Sequence, residues 1–371
     1  MPQSSRLTAN RYLLSAVRPE KEGEEMSLVP IETVPVVGGQ RAAESGQRTV
    51  DSGCDISVCI VNWNCREHLQ GCLQSLREAA AEVSLEVLVV DNGSSDGAAD
   101  MVAELFPEFV LIRNAVNAGF SRANNQAAEQ ARGRYLFFLN NDTVVPPGTL
   151  RGLLEYAVSH PDVGIVGPQL RDEHGRPQLS RRACPTLGAL LHRITWLRWT
   201  GLFRRGYRRY RGREGGDGPA PRPVEILMGA ALFMPRAVFR ACGAWDEDYT
   251  FGGEDIDLCA RVGQRYRVVY HPGLGIVHFG RISSRRHIGF SYSQTVIGLT
   301  RFLRKRGSSR IGLFFYKLAL TLDAPPRWLG HAFRYLWRRL RGQPLRAAKS
   351  RLLLQALGHF LRRGLPDLWR V

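Results

Sequence analysis

An acidic and amide-rich stretch near the middle of the chain points to a cation site. Residues 135–139 are apolar or aromatic, and Asn140, Asn141 and Asp142 follow them directly. Five such residues in a row predict a buried strand. In an open parallel sheet, ligands bind at the carboxyl ends of strands, and a carboxylate there suits a hard cation such as Mg²⁺ or Mn²⁺. A turn is the alternative, because Asn and Asp are common turn residues.

Polar side chains also end two earlier apolar stretches, at Asn62 and at Asp91. In a doubly wound sheet such strand ends converge on one crevice, where an Asp can accept a hydrogen bond from a pyrimidine base. Asn140 and Asp142 can place an amide oxygen and a carboxylate near a metal there. Three independent loop caps are the alternative. His278 follows a later apolar stretch and can ligate a metal or contact phosphate, although a lone histidine is more often structural.

The densest acidic cluster lies at residues 246–257, where six carboxylates fall within twelve residues beside Trp245 and Phe251. Glu254 and Asp255 precede an apolar stretch with helical character. Acids at a helix N-terminus are frequently caps or partners of the helix dipole. The functional alternative is a carboxylate that takes a proton from an acceptor hydroxyl, with the aromatic rings stacked on a sugar or lipid-linked acceptor.

The elements that must position these residues alternate along the chain. Short apolar, β-branched stretches are followed by stretches of helical periodicity, which predicts an α/β fold with a mainly parallel sheet. The predicted strands are 56–61, 85–90, 109–112, 135–139 and 163–166, and the predicted helices are 66–81, 98–106, 117–132, 149–159 and 235–242. Residues 171–223 are polar and rich in Arg, Gly and Pro, so we predict a long mobile loop beside a cleft.

Composition divides the chain into three parts. Residues 1–53 have little periodicity and predict a disordered leader, residues 54–283 hold the strand–helix pattern of a catalytic domain, and residues 284–371 form a basic helical extension. The segment 281–371 has 20 Lys and Arg residues and two acids, a net +18, whereas the whole chain has +17. The excess positive charge therefore belongs to the extension.

The basic extension contains two stripes of apolar residues at helical spacing. Such helices suit an anionic membrane surface, and the alternative is packing against the catalytic domain. A nucleic-acid partner is not expected, since no recognised binding motif accompanies the charge. The first stripe is Phe333, Leu336, Trp337 and Leu340, and the second is Leu353, Leu357, Phe360 and Leu361.

Several classes of protein are excluded or disfavoured. No stretch approaches the roughly 18 apolar residues typical of a spanning helix. The seven cysteines form no Cys-x-x-Cys pair, which favours a reduced, intracellular protein. The first predicted strand is not followed by the Gly-x-Gly-x-x-Gly turn of a dinucleotide-binding oxidoreductase.

The motifs in their order closely resemble those of the family 2 glycosyltransferases, over about 60% of the chain. The match depends on VCIVNWN at 58–64, VVDNGSSD at 89–96, NAGFSRANN at 117–125, FLNND at 138–142 and the 243–258 cluster. The resemblance implies the A-type nucleotide-sugar fold, and it is nearest to the rhamnosyltransferase-like branch that acts on bacterial surface glycans. The family often has Asp-x-Asp where this chain has Asn140 first, which weakens the charge on the metal site.

The resemblance also implies roles for individual residues. Asp255 would be the general base of a single displacement that inverts the anomeric centre. A divalent metal, Mg²⁺ or Mn²⁺, would bridge the donor diphosphate, held by Asp142 with Asn140 and His278. Gly229, Trp245, Asp246 and Glu254 would contact the acceptor or the sugar. The nucleotide would contact Val61, Asn62, Asp91, Gly93, Asn124 and Asn140.

These features together predict an inverting glycosyltransferase with a nucleotide-diphosphate sugar donor, plausibly of rhamnose. The acceptor is expected to be a lipid-linked or polymeric cell-surface glycan, and the enzyme to be cytoplasmic and peripheral on the inner face of the plasma membrane. The rival is a non-catalytic membrane- or nucleic-acid-binding protein with a degenerate nucleotide pocket. Intact Asp91, Asp142 and Asp255 disfavour that rival.

Overall fold

Strands and helices alternate through the N-terminal half of the described chain, as the sequence predicts. The computed structural model describes residues 53–211, 218–280 and 287–371, all within the compact unit Asp51–Val371. The predicted leader lies outside these residues, apart from Gly53. The strands in the described ranges are β1 (Ile56–Asn62), β2 (Leu85–Asn92), β3 (Val110–Asn114), β4 (Tyr135–Leu139), β5 (Thr143–Val144), β6 (Val163–Arg171), β7 (Arg181–Arg182), β8 (Arg222–Pro223), β9 (Ile226–Leu227), β10 (Ala231–Pro235) and β11 (Arg267–His278).

The helices divide into those that flank the sheet and those of the C-terminal extension. The described helices are α1 (Arg66–Ala79), α2 (Ala98–Leu105), α3 (Phe120–Gln130), α4 (Thr149–Ser159), α5 (Leu187–Leu191), α6 (Thr195–Trp199), α7 (Arg204–Tyr210), α8 (Arg236–Ala241), α9 (Glu254–Val262), α10 (Ile288–Lys305), α11 (Arg310–Leu340), α12 (Pro344–His359) and α13 (Leu365–Arg370), with a π-helical turn at Phe360–Gly364.

The main sheet has the order β3-β2-β1-β4-β10-β6-β11-β5, with β8 paired to β11. Strands β1 to β4 are parallel to one another, and β10 is antiparallel to both β4 and β6. This arrangement confirms the predicted α/β fold with a mostly parallel sheet. The chain builds outward from β1 through β2 to β3 and then returns to β4 on the other side of β1. The crevice outside β1 and β4 is therefore the point where the strand order reverses, the usual place for a ligand.

Strand β1 shows why both faces of the sheet are covered. Successive side chains of a strand point to opposite faces. Val58 and Ile60 pack in one apolar cluster with Leu73 of α1, whereas Cys59 packs in the other cluster with Ala127 of α3. The continuous apolar sequence of β1 is thus explained by helices on both sides.

The segment 171–223, predicted as a long loop, contains secondary structure in its described part. Helices α5, α6 and α7 and strand β7 lie within it. Leu190, Ile194 and Tyr210 are buried in the core, so apolar residues spaced among many arginines anchor this segment. The prediction that 171–223 is a loop throughout was wrong, because many arginines surround these few apolar core residues in the sequence and obscure their pattern. Mobility of the segment stays a prediction.

The C-terminal extension is helical, as predicted, but its two apolar stripes differ. Leu357 and Phe360 of the second stripe are each 1% exposed, so the packing alternative holds there. The first stripe is exposed, with Phe333 at 67% and Leu340 at 85%. Among the residues that the structure describes, no helix is long and apolar enough to cross a membrane.

Candidate active site

Hydrogen bonds between side chains join the carboxyl ends of β1, β2 and β4. Asn62, the last residue of β1, donates from Nδ2 to Asp91 Oδ1 at 3.1 Å. Its Oδ1 accepts from Asn141 Nδ2 at 2.7 Å. All three side chains are buried, so these bonds are shielded from water. The three polar clusters are therefore one connected group at the reversal of strand order, not separate loop caps.

Asp91 is fixed through both carboxylate oxygens. Asn62 donates to Oδ1, and the backbone N–H of Ser94 donates to Oδ2 at 3.0 Å. Gly93 lies between them with a φ of 75°, and a Cβ there would lie 2.9 Å from the backbone of Val116. Only glycine fits both the conformation and the close approach. The tight turn holds the Asp91 carboxylate at the end of β2, and its contact with a base stays a prediction.

Two other predicted nucleotide contacts lie differently. Asn124 is 1% exposed, and its amide donates to Phe120 O within α3 at 3.1 Å. That amide serves its own helix, so the placement does not fit a contact with a nucleotide. Val61, the residue before Asn62, is half-buried beside the crevice.

A second part of the group follows β4, where Asp142 faces His278. His278 Nε2 lies 3.4 Å from Asp142 Oδ1, and both side chains are largely buried. Gln178 orients the imidazole, because its Oε1 lies 3.0 Å from Nδ1 and its amide donates to His278 O at 2.6 Å. The ring nitrogen that faces Asp142 is thus held in place. Residues 281–286, which follow His278 closely in the chain, lie outside the described residues.

These donors fit a divalent cation that also takes oxygens from a ligand. The carboxylate of Asp142 and the imidazole of His278 are close enough to bind the same metal ion. Asn140 is half-buried, and its side-chain amide has no hydrogen-bond partner among the described residues. Within the described ranges, no group of three or more His, Cys, Asp or Glu side chains could hold a metal alone. A metal here therefore needs further ligands, as from a diphosphate.

Asp255 is linked to the same strand ends through the chain before β10. Gly229 N donates to Asp255 Oδ2 at 3.2 Å, and the next residue, Ala230, accepts from Asn140 N at 2.9 Å. A Cβ on Gly229 would lie 3.0 Å from that of Asp255, so glycine permits this close approach. Asp255 Oδ1 accepts from Ile256 N at 2.8 Å, which fixes the carboxylate at the start of α9. The structure thus brings Asp255, Gly229 and Asn140 together.

Glu254 and Arg182 complete the surroundings of Asp255. The Glu254 side-chain oxygen Oε2 is buried and has no hydrogen-bond partner among the described residues. Burial, with the neighbouring Asp255 carboxylate, raises the pKa of Glu254 to about 8. Arg182 Nη2 lies 3.1 Å from Asp255 Oδ2. Sequence reasoning missed Arg182, because it is one of many arginines in a segment without periodicity.

Trp245 and Asp246 do not fit the predicted contacts with acceptor or sugar. Trp245 is 2% exposed and packs edge-on against Phe120 and Phe138, so it is a core residue rather than a stacking platform. Asp246 forms an ion pair with Lys305 of α10. The physical reason is that this part of the acidic cluster faces the C-terminal extension, whereas Glu254 and Asp255 face the crevice.

Known proteins of one family are similar to this chain. The model of "Glycosyl transferase family 2" matches residues 57–219. The N-acetylglucosaminyl-diphospho-decaprenol L-rhamnosyltransferase of Mycobacterium tuberculosis is 30% identical over 266 residues, which cover 66% of this chain and 83% of that protein. The chain therefore belongs to the family 2 glycosyltransferases, and it is a transferase enzyme.

More distant relatives and solved structures are also similar. The O-antigen biosynthesis protein RfbC of Myxococcus xanthus is 30% identical over 210 residues, covering 54% of this chain and 15% of that protein. The structure of the mannosyltransferase PcManGT from Pyrobaculum calidifontis with GDP-Man and Mn²⁺ has a TM-score of 0.48 and 18% identity, covering 85% of this chain and 87% of that one. GalNAc-T7 with UDP, GalNAc and Mn²⁺ has a TM-score of 0.47 and 17% identity, covering 62% of this chain and 44% of that one.

Proposed function

We propose that the chain is an inverting glycosyltransferase that moves a sugar from a nucleotide-diphosphate donor to a hydroxyl of a lipid-linked or polymeric glycan. The observation that carries the proposal is the single connected group formed by Asp91, Asn62, Asn140, Asp142 and Asp255 at the reversal of strand order. The mycobacterial relative supports rhamnose as the sugar and a prenyl-diphosphate-linked N-acetylglucosamine as the acceptor, as its name states.

In the proposed reaction, Asp91 and Asn62 orient the nucleotide, and Asp142 with His278 and Asn140 holds a divalent metal. When bound, Mg²⁺ or Mn²⁺ neutralises charge on the leaving diphosphate. Asp255 accepts the proton of the acceptor hydroxyl while the oxygen of that hydroxyl bonds to the anomeric carbon. The bond from that carbon to the diphosphate breaks, and the electron pair leaves with the diphosphate. One displacement inverts the anomeric centre.

The test of this proposal is Asp255→Asn, which keeps the shape of the side chain and removes the base. We expect transfer from dTDP-rhamnose to fall about a hundredfold or more, while nucleotide binding survives. The matched control is Asp248→Asn, since Asp248 is an exposed acid of the same cluster. Turnover near the wild-type rate in the Asp255 variant would exclude it as the base.

A membrane surface is the second partner that we propose, and helix α11 carries it. Seven exposed apolar side chains, each 59–85% exposed, share one side of this helix. At 3.6 residues per turn they fall within about 60° of one another, along a length of about 44 Å. We call this surface the α11 stripe; its members are Ile311, Phe315, Leu322, Leu329, Phe333, Leu336 and Leu340.

Charge favours an anionic membrane over a protein as the occupant. In residues 287–371 the acids are Asp323 and Asp367. Asp323 is buried and accepts hydrogen bonds from Thr195, so it does not face the stripe. Exposed Arg310, Arg339 and other arginines border the apolar side chains. Apolar side chains beside unopposed arginines suit insertion at an anionic lipid surface. The cysteines are free, which agrees with the inner, reducing face of the membrane.

Flotation with vesicles tests the membrane proposal. We expect the wild-type chain to float with vesicles of phosphatidylglycerol and phosphatidylcholine, and less with phosphatidylcholine alone. Leu329→Glu with Phe333→Glu should weaken flotation by about tenfold or more, because burying each such side chain contributes about 1.5–3 kcal/mol. The control is Leu105→Glu with Val158→Glu, two exposed apolar residues on α2 and α4. Equal flotation of both double variants would refute the α11 stripe as the docking surface.

A further inference from the structure

Arg182 forms an ion pair with the proposed base. It lies on β7, which pairs with β9, and its Nη2 is 3.1 Å from Asp255 Oδ2. Its Nη1 donates to Tyr210 Oη at 3.3 Å. The Arg182 side chain is 19% exposed and that of Asp255 is 9% exposed, so water screens this pair weakly. The guanidinium therefore occupies Oδ2 of the carboxylate that would take the proton of the acceptor hydroxyl.

The guanidinium of Arg182 also has an unused donor. Its Nε is buried and has no hydrogen-bond partner among the described residues. Burial lowers the pKa of Arg182, but Asp255 and Tyr210 together raise it by more, so the pKa is raised overall and the side chain stays charged. A buried donor without a partner is rare in folded proteins. Here the unpaired N–H belongs to a planar group that binds phosphate oxygens in pairs.

The segment that ends at Arg182 connects the metal donors with the proposed base. Gln178, four residues earlier, contacts His278, which faces Asp142. Arg182 itself contacts Asp255. Four residues span at most about 13 Å, so the segment 178–182 joins the two groups over a short distance. A diphosphate bound at Asp142 would therefore lie on the path of this segment.

We propose that Arg182 is a ligand of the donor diphosphate, and that its ion pair with Asp255 is the resting arrangement that donor binding breaks. The inference rests on the proposed function. When the diphosphate takes the guanidinium, Asp255 loses its cationic partner and becomes free to accept the proton of the acceptor hydroxyl. The base is then released only in a chain that already holds its donor.

Calorimetry with nucleotides alone tests this exchange of partners. UDP, dTDP and GDP are titrated with Mg²⁺ into the wild-type chain, and the tightest of them is compared with its monophosphate. Arg182→Gln should weaken binding of the diphosphate by about tenfold or more and change binding of the monophosphate little. The control is Arg176→Gln, since Arg176 is an exposed arginine of the same segment in an ion pair with Asp172.

Asp255→Asn gives the result that a merely structural role of Arg182 would not. Without the competing carboxylate, Arg182 is free for the diphosphate, so this variant should bind the nucleoside diphosphate severalfold more tightly than the wild-type chain. The double variant with Arg182→Gln should lose that gain and bind as Arg182→Gln does. The double variant leaves neither Arg182 nor Asp255 as an unpaired buried charge. Its affinity can therefore be compared with that of Asp255→Asn even where the single Arg182 variant folds poorly.

The outcomes separate the two proposals. If the wild-type chain binds none of the nucleoside diphosphates, the proposed function fails. If the wild-type chain binds one of them but Arg182→Gln binds it equally well, the proposed function stands and Arg182 is not a diphosphate ligand. Unchanged diphosphate affinity in Asp255→Asn would likewise overturn the competition between Asp255 and the donor.

Discussion

Glu254 should make the stability of this enzyme fall as the pH rises. Its carboxyl has an ordinary pKa of 4.5, and burial with the neighbouring Asp255 raises the pKa to about 8. Between these two values the folded chain keeps a proton that the unfolded chain releases. Stability is therefore lost progressively from about pH 4.5 and levels off above about pH 8. Glu254→Gln, which copies the neutral acid, should remove this loss.

The size of the effect follows from the width of that window. The pKa rises from 4.5 to about 8. Each pKa unit corresponds to about 1.36 kcal/mol, so the ceiling is about 5 kcal/mol. Glu254 is half-buried as a whole residue, although its Oε2 is buried, so relaxation and water will reduce this value. We expect Glu254→Gln to gain about 1–2 kcal/mol above pH 8, or about 1.5–3 °C in Tm for a unit of this size.

Thermal unfolding of the wild-type chain and Glu254→Gln provides the assay, at about pH 5 and about pH 9. The two Tm values should agree at the lower pH and separate at the higher pH, with the variant more stable. Glu104→Gln is the control, because Glu104 is exposed on α2 and should show no difference at either pH. A Glu254 variant that is equally stable or less stable than the wild-type chain at the higher pH would refute the reasoning.

Two further predictions concern the metal donors and the extension. His278→Ala should weaken nucleotide binding in the presence of Mg²⁺ about tenfold and leave metal-free binding unchanged, because the metal would keep only Asp142 and Asn140 as protein ligands. Calorimetry with Mg²⁺ and with a chelator measures the two affinities. An equal loss in both would contradict a metal role. Gly298→Ala should destabilise the chain by roughly 1–3 kcal/mol, because the added Cβ would overlap the carbonyl oxygen of Gly252. Urea denaturation measures that loss, with Gly330→Ala, in an open position on α11, as the control.

The sequence predicted the parts of the site that directly follow strands. Asn62, Asp91 and Asp142 come at the ends of clear apolar stretches, and a parallel sheet brings such ends together by its geometry alone. The same argument predicted the order of strands and helices up to β4. The third strand begins one residue later and ends two residues later than predicted, because Val110–Asn114 includes polar residues beyond the apolar pattern.

The parts that sequence could not predict depend on contacts between distant segments. Arg182 meets Asp255 across 73 residues, and nothing in its neighbours distinguishes it from other arginines. Trp245 looks like a sugar platform in the acidic cluster, but the choice between core and crevice depends on the helix packed against it. Exposure of the α11 stripe was likewise undecided, because an apolar stripe has the same spacing whether it is buried or free.

The contact between α10 and the turn before α9 joins the basic extension to the segment that carries Glu254 and Asp255. Gly298 lies directly against Gly252, and Lys305 binds Asp248 at 2.7 Å in the acidic cluster. The first helix of the extension therefore packs against the turn that precedes Glu254 and Asp255. For anyone building chimeras between relatives, α10 must therefore be inherited with the catalytic domain, and so must the later part of the extension, because Leu313 and Phe360 pack into the same core.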